Sequence, residues 1–290
     1  WIPVNSEQLA KMYTETDGQA LSGSSSGVDA TTTVYGTLRK SDGSGASYGG
    51  IPGSTSNREP DILTDTSYGD ASEDAGEGIA LIKSVFGFEE TNGSILDQFA
   101  DMLVANYEEA YQSIKKYGGF YIGRYELTGS TDAPTVQKGE TVVTDANWYE
   151  LYKACDSVVD TDSAKSTMIA GTQWDRVLEW LVETGMEPSD VYEDSSSWGN
   201  YNDSTGEATT NSGEKRPAGY NEAWQANNIY DLAGNCYEWT QEATYTSSRV
   251  YRGGVYGSSG SSGPASGRYS YGPYHSSSNI SSRPVLYVAL

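Results

Sequence analysis

His275 is the single histidine, and this limits the catalytic chemistry that the sequence can support. A Ser-His-Asp triad would have to use it, and one histidine cannot form a multi-histidine metal site. It lies in a stretch rich in serine and tyrosine, where a polar surface role is more usual than catalysis. The 40 acidic residues are spread along the chain, so an adjacent pair of carboxylates carries no catalytic signal.

Glu238 is the carboxylate with the most specific surroundings. It lies in "DLAGNCYEW", between aromatic residues and shortly after a glycine and an asparagine. One interpretation is that Glu238 is buried and holds the backbone of a turn. The alternative is a structural calcium site formed by Asn235, Glu238 and backbone carbonyls, because calcium prefers oxygen ligands. No other cofactor is expected.

The two cysteines, Cys155 and Cys236, leave the redox compartment undecided, since they could form one disulfide or remain two free thiols. A phosphate-binding glycine loop is also missing from the sequence. "GGIPGS" lacks the lysine of such a loop, and "GSSGSSG" is not followed by a helical pattern.

The net charge of −22 argues against nucleic acid as a partner, because phosphates need a basic patch. The same sign disfavours anionic membrane surfaces, and no apolar run approaches the ~18 residues of a membrane-spanning helix. Acidity with many Ser, Thr and Asn residues is common in secreted and surface proteins. The chain starts abruptly at "WIPV", so we expect that a leader or anchor precedes it.

The most unusual stretch is residues 256–282, here called the tract. It contains 11 Ser, 5 Gly and 4 Tyr among 27 residues, and Arg268 is its one charged residue. Tyrosine offers a large contact area at low entropic cost, and Ser, Gly and Asn allow adaptable hydrogen bonding, as in antibody combining loops. The tract is therefore expected to form a displayed binding face, although similar compositions also occur in inert low-complexity loops.

Helical periodicity is clearest in residues 94–117, where one apolar face is predicted. Ser94 resembles an N-terminal cap. Further helices are predicted over 147–155 and 172–184. The members of the apolar face of the first of these helices are Leu96, Phe99, Leu103, Tyr107, Ala110, Tyr111 and Ile114.

Strand-like segments surround these helices and dominate the end of the chain. They cover residues 1–5, 120–128, 228–244, 249–257 and 283–290. This order predicts an α+β domain and not a doubly wound sheet. Residues 17–90 are expected to form a long irregular insertion, with disorder as the alternative. We expect a single domain over residues 1–290, in which the first and last strands pair.

Four segments together resemble the formylglycine-generating-enzyme (sulfatase-modifying factor) superfamily. They are "GGFYIGRYELT", "NNIYDLAGNCYEWTQ", "RVYRGGVYG" and "SSRPVLYV", at residues 118–128, 227–241, 249–257 and 281–288. The resemblance spans most of the chain and implies a C-type-lectin-like fold. Formylglycine-forming members bind copper through two cysteines shortly after the R-G-G motif. No cysteine follows Arg252-Gly253-Gly254 here, so the resemblance does not carry the oxidase activity over.

Variable proteins of diversity-generating retroelements resemble the same superfamily and are diversified near their C-terminus. Adenine-directed changes in Asn codons produce Ser, Tyr, Gly, His, Asn and Ile, which are the residues that dominate the tract. The resemblance therefore implies a non-enzymatic recognition protein with a variable segment over residues 249–290. The candidate ligand-binding residues are Tyr256, Ser258, Ser259, Tyr269, Tyr271, Tyr274, His275 and Asn279.

The expected partner is a protein or glycan on a cell or phage surface, and the expected location is extracellular, on a bacterial surface or on a phage particle. Two alternatives stay open. One is a formylglycine-type oxidase or related metalloenzyme. The other is a structural surface or pilus-like subunit, in which the tract faces a neighbouring subunit.

Overall fold

The structure is a computed structural model that describes residues 1–12, 33–34, 51–52, 57–58, 73–92, 95–244 and 248–290. Within these ranges the fold combines α-helices with β-strands. The α-helices are α1 (Ser6–Met12), α2 (Glu73–Phe86), α3 (Ile95–Tyr117), α4 (Trp148–Asp156), α5 (Gly171–Glu183) and α6 (Pro188–Tyr192). Short 3-10 helices cover Glu90–Asn92 and Gly206–Thr209.

The strands fall into two main sheets and three short pairs. The first seven are β1 (Ile2–Pro3), β2 (Thr33–Val34), β3 (Ile51–Pro52), β4 (Asn57–Arg58), β5 (Gly119–Ile122), β6 (Thr128–Gly129) and β7 (Pro134–Thr135). The remaining strands are β8 (Ala164–Met168), β9 (Gln225–Ala226), β10 (Ile229–Tyr230), β11 (Tyr237–Thr244), β12 (Ser248–Arg252), β13 (Arg268–Tyr271), β14 (Ile280–Ser282) and β15 (Pro284–Val288).

The first main sheet has the antiparallel order β1-β5-β15-β8. The expected pairing of the first and last strands is wrong. Strand β15 pairs with β5 on one side and with β8 on the other, so neither of its edges is open to β1. Strand β1 pairs with β5 instead, where Ile2 lies opposite Phe120.

The second main sheet has the order β13-β12-β11-β14, and β4 pairs with the far end of β11. All of its pairs are antiparallel except β11 with β14. The prediction of a mixed fold with mainly antiparallel sheets, and not a doubly wound parallel sheet, is confirmed. The tract contributes β13 and β14 to the sheet, whereas the sequence placed it as a loop between strands.

The three predicted helices are present as α3, α4 and α5. Phe99, Leu103 and Tyr107 of α3 are buried, as its apolar periodicity predicted. Asn147 caps α4 through a reciprocal capping box with Glu150. The predicted cap at Ser94 lies outside the described residues.

The insertion predicted over residues 17–90 is wrong in one part, because residues 73–86 form helix α2. This helix buries Ile82 in a core that also contains Phe99 of α3 and Trp148 of α4. That burial explains why the segment is helical and not irregular, since an amphipathic helix is stabilised mainly by packing its apolar face. Most of the remaining insertion lies outside the described residues.

Helix α5 connects the core to the second sheet. Trp174, Val177 and Leu178 are completely buried in a second cluster that includes Ile2, Phe120 and Val285 of the first sheet. Val285 and Tyr287 of β15 are also buried and belong to the scaffold. Asp175 of the same helix pairs with Arg252 of β12, so α5 links the two sheets.

Candidate functional site

The main chain of the tract is held by residues from distant parts of the sequence. The Tyr201 hydroxyl donates to the Gly263 carbonyl over 2.8 Å, and the Trp174 indole N–H donates to the Ala265 carbonyl over 2.9 Å. The Ala265 N–H donates to Ser195 Oγ over 3.0 Å. Because these bonds reach main-chain atoms of the tract, they do not depend on most of its side chains.

Similar bonds fix the second half of the tract. The backbone N–H of Trp148 donates to the Pro273 carbonyl over 2.9 Å, and the backbone N–H of Asp145 donates to the Ser277 carbonyl over 2.8 Å. Trp148 lies at the start of α4, so this loop is attached directly to the helical layer. Loops placed by a rigid scaffold in this way are typical of binding sites.

Gly260 marks a close approach between the tract and the rest of the chain. A Cβ atom at this position would lie 2.3 Å from the backbone nitrogen of Ser196, which is far inside van der Waals contact. The Gly260 N–H donates to Asp203 Oδ1 over 2.8 Å. In contrast, a Cβ atom at Gly257 would have no neighbouring atom within 4 Å, so the chain is open there.

The eight candidate ligand-binding residues all keep access to solvent. Tyr271 is 51% exposed, and the other seven are half-buried. Other positions in and beside the tract differ, because Ala265, Pro273 and Arg283 are buried. The tract therefore alternates between anchored positions and positions whose side chains reach the surface.

Three of the candidates form a ring cluster beside strand β13. His275 lies between two tyrosines, with ring centroids 4.1 Å from Tyr271 and 4.4 Å from Tyr274. Aromatic contacts at these distances favour a defined arrangement of the rings. This cluster is the most exposed aromatic part of the tract.

Tyr269 belongs to a second cluster that the sequence analysis missed in part. Its ring centroid lies 5.8 Å from that of Tyr251 on β12 and 5.4 Å from that of Tyr237 on β11. These two tyrosines lie outside the tract but share one sheet face with Tyr269. The alternation in "CYEW" and "RVYR" was the available signal, but it could be used only with the pairing of β11, β12 and β13, which brings together tyrosines 14 or more positions apart.

Two of the remaining candidates, Ser259 and Asn279, bond within the tract. Ser259 Oγ lies 2.7 Å from Ser262 Oγ, and Ser277 Oγ donates to Asn279 Oδ1 over 2.5 Å. Tyr256 and Ser258 lie near these serines in the chain, in the turn-rich part before β13. The structure thus brings Tyr271, Tyr274 and His275 together and places Tyr269 in the other cluster. Ser259 and Asn279 bond to tract serines.

A buried network of four charges lies on the opposite face of the second sheet. Arg252 Nη2 and Asp175 Oδ1 are 2.8 Å apart, and Arg268 Nε and Glu242 Oε1 are 3.0 Å apart. Arg268 also pairs with Asp175, and Arg252 with Glu242. Two positive and two negative side chains balance, so Arg268 anchors β13 to helix α5 instead of facing a ligand.

Glu238 forms a buried ion pair with Arg283. Its two carboxylate oxygens accept from Arg283 Nη2 over 2.6 Å and from Arg283 Nε over 3.0 Å. Burial raises the pKa of Glu238, and the guanidinium opposes this rise. The same guanidinium donates to the Gly123 and Tyr230 carbonyls, so it connects both sheets to β10.

Asn235 and Glu238, the predicted calcium ligands, both have protein partners. Asn235 Oδ1 accepts from Asn200 Nδ2 and from the Arg216 N–H, each over 3.0 Å. Both Glu238 side-chain oxygens likewise accept hydrogen bonds from Arg283. Within the described ranges, no group of three or more His, Cys, Asp or Glu side chains is arranged to hold a metal. Calcium binding by this pair stays a prediction.

Two more carboxylates lie close to Glu238. Burial raises the pKa of Glu126 well above its ordinary value, and the nearby charges of Asp231 and Glu238 raise it further. Burial likewise raises the pKa of Asp231 to about 7, although the Gly219 N–H bonded to it opposes the rise. Glu126 accepts from the Asn235 side chain and the Cys236 N–H, so it supports the turn before β11.

Both cysteines are buried and free. Cys155 lies on α4 with its sulfur 3.6 Å from Ser282 Oγ, and Cys236 packs with Val142 and Ala218. Burial raises the pKa of both thiols, which favours the neutral form and lowers their reactivity. They therefore act as packing residues in this fold.

No helix among the described residues is long and apolar enough to cross a membrane. No protein-family model matches the sequence, and no curated protein matches it. Among solved structures, CarF is 14% identical, with a TM-score of 0.36 over 51% of this chain and 67% of that chain. Variable protein 1 of Treponema denticola is 17% identical, with a TM-score of 0.31 over 62% and 67%. Similarities at this level carry no conclusion about the chain.

Proposed function

We propose that this chain is a non-enzymatic recognition protein that uses the tract as a ligand-binding face on a C-type-lectin-like scaffold. One observation carries the proposal. Framework residues such as Trp174 and Tyr201 hold main-chain atoms of the tract, whereas the candidate side chains reach the surface. Such a surface can change its side chains without losing its backbone shape.

The composition of the face suits recognition. Tyr271, Tyr274 and His275 supply rigid rings, which lose little conformational entropy when a ligand binds. Serines and Asn279 supply adaptable hydrogen bonds around them. The aromatic residues should therefore supply most of the binding energy, because a few residues of this type dominate typical interfaces.

The ligand that we propose is a protein or glycan on a cell or phage surface, with the chain itself extracellular, on a bacterial surface or on a phage particle. The face carries little charge of its own, since Arg268 is paired with Asp175 and Glu242 beneath it. The net charge of −22 makes nucleic acid an unsuitable partner.

A library experiment tests the proposal. All eight candidate positions are randomised in a displayed library, and the folded fraction is measured before selection against a defined protein such as lysozyme. We expect most variants to remain folded and binders to emerge. The control library randomises buried positions of similar number, including Ala265 and Val285, and should be largely unfolded. If the first library unfolds like the control, or yields no binder, the proposal fails.

Diversification by a retroelement is the more specific part of the proposal and has its own test. The DNA beside the gene is sequenced and searched for a near-copy of the segment that encodes residues 249–290. We expect that copy to differ at adenines and to lie beside a reverse transcriptase gene. A neighbourhood without both features would contradict diversification but leave the binding face untouched.

The absence of catalysis is tested separately. The purified chain is given copper and a cysteine-containing peptide, and formylglycine is measured by mass spectrometry. We expect no product, because Cys155 and Cys236 are buried and no cysteine follows Arg252-Gly253-Gly254. Product formation that depends on one copper ion per chain would restore the oxidase alternative.

A further inference from the structure

A cavity of about 250 Å³ lies outside the tract, between the start of the chain, the end of β5, helix α5 and the β9–β10 hairpin. The side chains that matter for its chemistry are two tryptophans, one arginine and two asparagines. They are Trp1, Trp180, Arg124, Asn227 and Asn228. The volume is below the usual range for drug-sized ligands, so it fits a compound with a single ring.

Arg124 differs from the other arginines whose side chains the structure describes. Each of those makes an ion pair or lies over an aromatic ring, whereas the Arg124 guanidinium makes no hydrogen bond, ion pair or ring contact with the residues that the structure describes. The Arg124 side chain is exposed, so a ligand can reach its guanidinium. It offers a fork of N–H donors that matches a carboxylate.

The two asparagines are presented by a tight hairpin. Asn227 and Asn228 have φ values of +49° and +64°, and Ala226 pairs with Ile229, as in a two-residue type I′ turn. Both side chains are exposed. Their amides can donate to and accept from hydroxyl groups of a ligand.

The walls of the cavity are tied to one another before any ligand binds. Asn227 Nδ2 donates to Thr184 Oγ1 over 2.5 Å, which joins the hairpin to the end of α5. The Tyr230 N–H donates to the Arg124 carbonyl over 2.8 Å, which joins β10 to the chain after β5. A preformed site loses less entropy when a ligand binds.

The Trp1 ring is also held in place. It lies against Gly119, where a Cβ atom would come within 2.5 Å of the ring, and its centroid is 4.9 Å from that of Tyr121. Trp180 on α5 is half-buried, so part of its ring faces the cavity. Aromatic faces of this kind can cover the apolar face of a small ring.

From these observations we infer that the cavity binds a carboxylate carried on a single sugar ring, such as a uronate. Arg124 binds the carboxylate, Asn227 and Asn228 bind hydroxyl groups, and the tryptophans cover the ring. This inference does not depend on the proposed function of the tract.

Isothermal titration with glucuronate tests it, with glucose as the uncharged analogue and cyclohexanecarboxylate as the analogue without hydroxyls. We expect glucuronate to bind at least about tenfold more tightly than either, because a charge-assisted bidentate contact and the hydroxyl contacts each contribute. Arg124→Gln should lose at least about tenfold in affinity. Lys83→Gln, which makes the same charge change on α2, should bind like the wild type.

The Arg124 side chain has no partner to lose among the described residues, so Arg124→Gln is expected to fold normally, and circular dichroism with thermal unfolding verifies this. No measurable glucuronate binding, or equal binding by Arg124→Gln and the wild type, would overturn the inference. Equal affinity for cyclohexanecarboxylate would overturn the assignment of a sugar.

Discussion

Arg268 provides the sharpest test of the division between anchored and displayed positions in the tract. Its side chain is 6% exposed and pairs with Asp175 and Glu242, which also bind Arg252. Arg268→Met keeps a similar length and apolar stem but removes the charge. Two buried carboxylates would then share one guanidinium.

The cost follows from the imbalance of buried charge. Breaking one partner of a buried ion pair typically destabilises a protein by about 3 to 5 kcal/mol. Solvent screening reduces this little, because Arg268 is almost fully buried and Arg252, Asp175 and Glu242 are 0–1% exposed. We therefore expect Arg268→Met to lower the free energy of unfolding by about 3 to 5 kcal/mol.

Urea unfolding at pH 7, followed by tryptophan fluorescence, measures this difference. Ser270→Ala is the matched control, since Ser270 lies on the same strand and is exposed. Its free energy of unfolding should stay within about 0.5 kcal/mol of the wild type. A loss of less than about 1 kcal/mol for Arg268→Met, with an unchanged urea slope, would refute the role of Arg268 as an anchor.

Three further predictions concern other parts of the structure. Gly260→Ala should lower the free energy of unfolding by about 1 to 3 kcal/mol through overpacking, whereas Gly257→Ala should leave it nearly unchanged. Equal effects of the two substitutions in urea unfolding would contradict the close contact of Gly260 with Ser196. Burial raises the pKa of Asp156 to about 7, above about 3.9 in the unfolded chain. The folded state therefore keeps the proton longer, and stability falls as pH rises from about 4 to about 7, by up to about 4 kcal/mol. Asp156→Asn removes this fall, so the free energy of unfolding of the variant should rise relative to that of the wild type across that pH window. If the difference in free energy of unfolding between variant and wild type is the same at every pH, the titration of Asp156 does not have this effect. Arg283→Met should lower the free energy of unfolding by about 3 to 5 kcal/mol, and the double variant that also carries Glu238→Leu should lose clearly less. A double-mutant cycle measures this coupling, and losses that simply add would contradict the ion pair.

Much of the secondary structure could be predicted from the sequence because it depends on near neighbours. The apolar residues of α3 recur every three or four positions, and Asn147 with Glu150 marks the start of α4. The turn before β11 was also signalled, by the glycine and asparagine of "AGN". Both Gly234 and Asn235 have positive φ there, which those residue types tolerate best.

The pairing of the strands was harder to predict from the sequence than the strands themselves. The sequence marked β15 as a strand but did not show that β5 and β8 would occupy both of its sides. Helix α2 was missed because its surroundings are rich in Gly, Ser and Asp, and its stability depends on contact with α3 and α4. The sequence also did not show that Arg283 lies against Glu238.

The composition of the tract, rich in Tyr, Ser and Gly and nearly free of charge, can be read directly from the residues, and so can the helices with one apolar face. Which tract atoms are fixed and which side chains reach the surface depends on the folded chain. The anchors of the tract, among them Trp148, Trp174 and Tyr201, lie 50 or more residues away in the chain. Local periodicity encodes a helix or a strand, but contacts over such separations form only when the whole core packs.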